Sequence, residues 1–356
     1  MSEANSTLIL LTPGFPENEE DTTCLPFAQT YIIALKESYP DLEIIIIAFQ
    51  YPFFRNSYSW KNNEVICMGG AGKGEGHRLV LWFRVWRTLM KLNKEKNVIG
   101  LFSLWCTECS LTGHYFSKFY KLKHYIWLCG QDAKSGNKYV RYIRPKEDEL
   151  VAMSDFLKME FYRNFSISPK HVIPLCLDIK QFSGKPAARD IDILGVGSLI
   201  PLKQYDVFIN VIKKLTEHLP LINTIICGKG PEENSLKTLI ATAKLDGNIF
   251  LAGEVAHPHV LTLMQRTKIF LHTSNYEGFG LVCLEALYAG AHVISFTKPM
   301  DHQILHWHHV NNEGEMFEKL YEILTTPETD YQSVQPFASS DLAHAMMELY
   351  GCLLLS

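Results

Sequence analysis

Two carboxylates and two glycines at fixed spacing carry the strongest chemical signal in the chain. Glu277 is followed by Gly278-Phe279-Gly280-Leu281, and Glu285 stands eight positions after Glu277. A glycine loop that opens a helix aims backbone N–H groups, with no side chain in the way, at whatever lies beyond it. Such a helix start favours an anionic ligand such as a phosphate. Taken singly, Glu277 reads equally well as a solvated loop acid, and Glu285 as a carboxylate favoured by the helix dipole.

The elements that must position this loop are legible around it. Residues 269–272 are short, apolar and partly β-branched, as a buried strand should be. Residues 281–289 have apolar side chains at helical spacing, Gly290 sits where a helix C-cap belongs, and residues 293–296 resume a strand. This is half of a doubly wound α/β unit, with its loop at the carboxyl edge of the sheet.

The wording Ser274-x-x-Glu277-Gly278-Phe279-Gly280-Leu281, with Glu285 following, resembles the nucleotide-sugar signature of the retaining glycosyltransferase family 4. That resemblance implies a GT-B fold: an α/β chain of two Rossmann-like domains facing across a cleft, with a C-terminal helix returning to the first. It implies an acceptor domain over 1–183 completed by a helix at about 338–356, and a donor domain over 189–337. It also implies site roles. Glu277 would bind the donor sugar with the N–H groups of Gly278, Phe279, Gly280 and Leu281. Glu285 would hold the ribose hydroxyls, and Lys203 would stabilise the departing diphosphate.

Composition is consistent with this. A length of 356 residues suits two ordinary domains, and 47% apolar against 20% charged residues supports a substantial core. Residues 1–185 hold 23 Lys and Arg against 19 Asp and Glu, and the remainder holds 11 against 19. A basic front half and an acidic back half point to two domains with different partners. Nucleic acid is a poor fit for a chain that is acidic overall and lacks a clustered basic run. No signal segment and no long apolar run stands out, so a cytoplasmic protein is expected, with peripheral contact at the inner membrane surface as an option. Nine scattered cysteines argue against a disulfide framework.

In the first half, residues 7–11 and 42–49 read as strands around a helix at 25–35. Where the family has a glycine pair after the first strand, this chain has Gly14 and then the acidic run 17–23. Residues 78–96 read as a basic amphipathic helix, with Arg84, Arg87, Lys91 and Lys94 on one face. Leu79, Trp82, Phe83, Trp86 and Met90 are expected on the other face, against the sheet; the competing reading is attachment to an anionic membrane. Cys106 and Cys109 form a single C-x-x-C, more readily a buried pair than a redox or zinc site. Cys129-Gly130-Gln131-Asp132 stands where the family often has His-Gly-x-Asp, so Gly130 and Asp132 are expected in the cleft and Asp132 near the chemistry.

In the second half, residues 192–196 restart the Rossmann pattern and lead to Gly197 and Ser198. The family normally has arginine at 198; Lys203 keeps the partner cation. Gly228-Lys229-Gly230-Pro231 matches a turn near the nucleotide base, with Val255 in the next base-side loop. His302, His306, His308 and His309 are dense enough to raise a metal, but the family needs none, and neither metal nor other cofactor is expected. The same holds for Asp190-x-Asp192. The implied function is a retaining transfer of sugar from a nucleoside-diphosphate sugar to a hydroxyl of a glycan or lipid-linked glycan. The departures at Ser198 and Cys129 leave two alternatives, a catalytically silent nucleotide-sugar or glycan binder and a sugar-nucleotide epimerase.

Overall fold

The computed structural model describes residues 6–182 and 188–352, so the linker expected at 183–188 lies almost wholly outside the described residues. The chain divides into two units, Met1–Cys176 with Phe337–Ser356, and Leu177–Pro336.

In the first unit the order is β1 (Ser6–Gly14), α1 (Pro26–Ser38), β2 (Glu43–Tyr51), β3 (Asn56–Trp60), β4 (Asn63–Cys67), α2 (Glu75–Glu95) and β5 (Asn97–Leu104). There follow α3 (Glu108–Tyr120), β6 (Lys123–Leu128), α4 (Lys138–Ile143), β7 (Leu150–Ala152), α5 (Asp155–Phe165) and β8 (His171–Val172). The sheet runs β3-β4-β2-β1-β5-β6-β7-β8. Strands β1 and β2 are nearly continuous Leu and Ile because helices cover both faces of a parallel sheet. Strand β3 pairs antiparallel with β4, and it turns into β4 through Lys61 and Asn62, both left-handed.

Helix α2 sits on this sheet with a face other than the one expected. Leu81, Val85, Leu89 and Leu92 are buried against Ile9, Ile45, Ile47 and Leu101. Leu79, Phe83 and Met90 face outward, and Trp82 and Trp86 are half-buried. The helix carries two apolar stripes at helical spacing, and the purely aliphatic one took the core. Cys106 and Cys109 are buried free thiols, and burial pushes both up, away from the reactive thiolate.

In the second unit the order is β9 (Ile191–Val196), α6 (Tyr205–Thr216), β10 (Thr224–Cys227), α7 (Glu233–Thr242), β11 (Ile249–Gly253), α8 (His257–Gln265) and β12 (Thr267–His272). It closes with α9 (Leu281–Tyr288), β13 (His292–Ser295), β14 (Trp307–His309) and α10 (Glu313–Thr325). All its described strands are parallel, in the order β11-β10-β9-β12-β13-β14. The order reverses between β9 and β12, and ligands of such sheets bind outside the carboxyl ends at that switch point.

The last helix, α11 (Ser339–Tyr350), rejoins the first unit. It packs on α1, where Tyr39 Oη and His344 Nδ1 lie 3.0 Å apart. Tyr350 donates to the Leu101 carbonyl at 2.7 Å, and its ring covers Gly100, where any Cβ would overlap it.

Of the clustered histidines, His306 and His308 are packed, and His302 and His309 are exposed. His292 stacks between His306 and His308, and His308 and His309 are strand residues. No group of three or more metal-ligating side chains occurs among the described residues. Asp190 pairs with Arg266 and Asp192 with Lys268, so both aspartates of the D-x-D have structural partners.

Candidate functional site

Strand β12 ends at the buried His272 and leads through Thr273 and Ser274 into the loop that carries Glu277. Gly280 is left-handed (φ 87°), which lets the chain turn directly into α9. The first N–H groups of that helix have no carbonyl partner within it. Strand β9 ends beside it, and its following loop delivers Lys203. Thr273 Oγ1 donates to the Lys203 carbonyl at 2.7 Å, tying the two loops together.

The side chains meet as well. Lys203 Nζ lies 2.6 Å from Glu277 Oε2, with both side chains mostly buried. His272 Nε2 approaches the same oxygen at 3.4 Å, short of full hydrogen-bond geometry. Burial pushes the Glu277 carboxyl up, but His272 and Lys203 outweigh it and hold it at about 2. His272 itself is pushed down by burial and is neutral near pH 7, so Lys203 is the cation of the trio.

One turn into α9, Glu285 is 8% exposed and accepts from His257 Nε2 at 2.8 Å. His257 opens α8, just after Val255. The Glu285 hydrogen bond raises the His257 pKa against the opposing effect of burial. The loops after β9, β11 and β12 thus contribute Lys203, Val255 with His257, and Glu277 with Glu285, all within the second unit and at its switch point.

Other expected site residues have structural roles here. Gly197 and Gly228 both have φ 156°, and a Cβ on Gly228 would overlap the Gly197 carbonyl. The loops after β9 and β10 are laced by Gly197 N–H to Cys227 O (3.0 Å) and Leu199 N–H to Lys229 O (3.0 Å). Gly230 lies against the Leu199 backbone in the same way. These glycines shape the floor of the site by close backbone approach, and that need accounts for the Gly-x-Gly spacing without a ligand. Gly228→Ala is therefore expected to destabilise the fold by at least about 3 kcal/mol, read by denaturant unfolding. Phe279 is buried, which leaves only its backbone for a ligand, while Ser198 is exposed.

In the first unit, Asp132 has a structural role in the backbone. It is 4% exposed, and its carboxylate accepts from the N–H groups of Cys106 (2.9 Å), Cys129 (3.1 Å) and Gly130 (2.8 Å). It clasps the loops after β5 and β6. Asp132→Ala would orphan three buried donors and is expected to cost about 3–5 kcal/mol in thermal unfolding. Gly14 is the last residue of β1, paired with Tyr51 after a register shift that follows Thr12. In the acidic run, Asp21 holds its own turn through Thr23 and Cys24, and Glu19 accepts from Lys61 N–H.

Sequence reasoning named Glu277, Glu285 and Lys203 and missed the two histidines that contact the acids. The available signals were a histidine at the first turn of α8 and another closing β12.

Two parallel-sheet Rossmann-like units, the second with its ligand loops at a β9/β12 switch point and the last helix returned to the first, define the GT-B fold. The solved structure of TarM has the same fold, with a TM-score of 0.72 over 99% of each chain at 11% identity. Residues 178–323 match the family described as Glycosyl transferases group 1, and the second unit is a domain of that kind. Among curated relatives, the phosphatidylinositol N-acetylglucosaminyltransferase gpi3 subunit of Schizosaccharomyces pombe is 26% identical over 200 residues, covering 55% of this chain and 44% of its own. A human phosphatidylinositol N-acetylglucosaminyltransferase chain is 32% identical over 126 residues, 35% of this chain and 26% of its own. The matched stretches span less than half the length of these relatives.

Proposed function

We propose that the chain transfers a sugar from a nucleoside-diphosphate sugar to an acceptor hydroxyl, with retention of configuration and without a metal. The observation that carries this reading is the Lys203–Glu277 ion pair at the start of α9, with Glu285 one turn further along the same helix. In this reading the diphosphate lies at the first turn of α9. Lys203 turns from Glu277 to the leaving phosphate, Glu277 accepts sugar hydroxyls, and Glu285 accepts ribose hydroxyls. Negative charge grows on the diphosphate as the glycosidic bond breaks, so a fixed cation there acts more on the transition state than on the ground state.

N-Acetylglucosamine is the favoured sugar, because the curated relatives named above are N-acetylglucosaminyltransferases. The favoured acceptor is a glycan or lipid-linked hydroxyl, with phosphatidylinositol the first to try. Ser198, in place of the family arginine, favours a second reading in which the chain binds nucleotide sugar without turning it over.

The test is binding and nucleotide release across UDP-, GDP-, ADP- and dTDP-sugars, without metal and with acceptor mixtures added. Selective binding with release supports transfer. Tight binding without release supports the silent binder. Absence of binding to every donor would overturn both.

A further inference from the structure

Helix α2 leaves large apolar side chains outside the core. Leu79, Phe83 and Met90 share its outer face, and Trp86 between them is half-buried against the core and Phe116. Leu79 is 65% and Phe83 62% exposed, and Met90 is also exposed. Trp86 meets Phe119 of α3 at 6.3 Å between ring centroids, and Phe119 is itself 72% exposed, so the apolar surface continues onto α3.

The adjacent arc of the same outer face is cationic. Arg84, Arg87 and Lys91 follow one another at 3-4 spacing, and with Arg55 they border a groove of about 900 Å³. Among the described residues Arg84 and Arg87 pair with no carboxylate, and Lys91 reaches Glu95 only at 4.0 Å. A contiguous exposed apolar patch marks an interaction site. A row of Leu, Phe and Met flanked by an arc of Arg and Lys on one helix suits a bilayer interface. The unpaired cations lack a complement that lipid phosphates would supply. No helix among the described residues is long and apolar enough to cross a membrane, so contact through this face would be peripheral.

We infer that the outer face of α2, extended by Phe119, docks on an anionic lipid bilayer. Leu79, Phe83, Met90 and Phe119 enter the headgroup region, and Arg55, Arg84, Arg87 and Lys91 meet the lipid phosphates. The inference rests on this surface and not on the proposed reaction.

The test is flotation of the full chain with phosphatidylcholine vesicles, with or without phosphatidylglycerol. Binding is expected to the anionic vesicles and to weaken with salt. Arg84→Gln, Arg87→Gln and Lys91→Gln together should lower partitioning about 100-fold. Leu79→Ser, Phe83→Ser and Met90→Ser together should lower it comparably with all cations present. These side chains are largely outside the core, so the thermal midpoint should hold in both variants. Donor-sugar binding, measured on the same preparations, reports on the second unit independently. Failure of the intact protein to bind anionic vesicles would overturn the inference, as would equal binding by either variant. Self-association lost in the apolar variant, with no vesicle binding, would assign the face to a second copy instead.

Discussion

Lys203→Ala is expected to lower kcat by about 10²–10³-fold while moving the donor KM only a fewfold. The asymmetry follows from where charge develops. In the proposed reaction a sugar diphosphate would already have the helix N–H groups of α9 in the ground state, and its additional charge would appear only as the glycosidic bond breaks. Lys203 is the cation that the structure brings to that helix start, 2.6 Å from Glu277. Lys203→Arg should recover part of the loss, because the charge returns with a different reach. A KM rise with kcat intact would mean that Lys203 only binds the donor. The same variant carries a signature without substrate. Glu277 titrates at about 2, below its ordinary 4.5. Its contribution to stability is therefore present above pH 4.5 and is lost as pH falls toward 2. Removing Lys203 should raise that carboxyl and narrow the window, measurable as a shallower acid dependence of unfolding.

Glu285→Ala is expected to weaken nucleoside-diphosphate binding about 10–100-fold, by calorimetry, with the chemical step little changed. Glu285 is nearly buried, and a ribose there would hydrogen-bond a charged acceptor. The substitution also strips His257 of the partner that raises its pKa, leaving burial to pull it down. The sign can be followed by NMR titration of His257. In the intact chain the pair stabilises the fold fully below the ordinary histidine value of 6.5, and this is lost as pH rises through the raised folded value. In the variant the His257 pKa should fall, and that pH dependence should vanish or reverse. An unmoved His257 pKa would break the link between the two residues.

The repeating strand and helix pattern was readable because buried parallel strands are continuous apolar runs, as in residues 44–48 and 269–271. Strands β3, β4 and β14 were not readable: they are short strands of mixed polarity at or beside a sheet edge, and their order comes from pairing with a neighbour. The acids and Lys203 stood out through their glycine context. His257 and His272 did not, because a histidine is informative only once its neighbour in space is known. Helix α2 shows the same limit at larger scale. Residues 81, 85, 89 and 92 and residues 79, 83, 86 and 90 are equally good apolar stripes, and periodicity identifies a face without saying which one the core takes. At Asp132 the sequence did not show that three backbone N–H groups occupy the carboxylate.

The return of α11 has a consequence for biosynthesis. The second unit is contiguous in sequence and can fold as soon as its own strands have emerged. The first unit is split: its sheet is made early, but Tyr350, which covers Gly100 and bonds Leu101, arrives only after the entire second unit. During translation the surface reserved for α11 stays open, and the earliest-made half of the protein is the last to be completed.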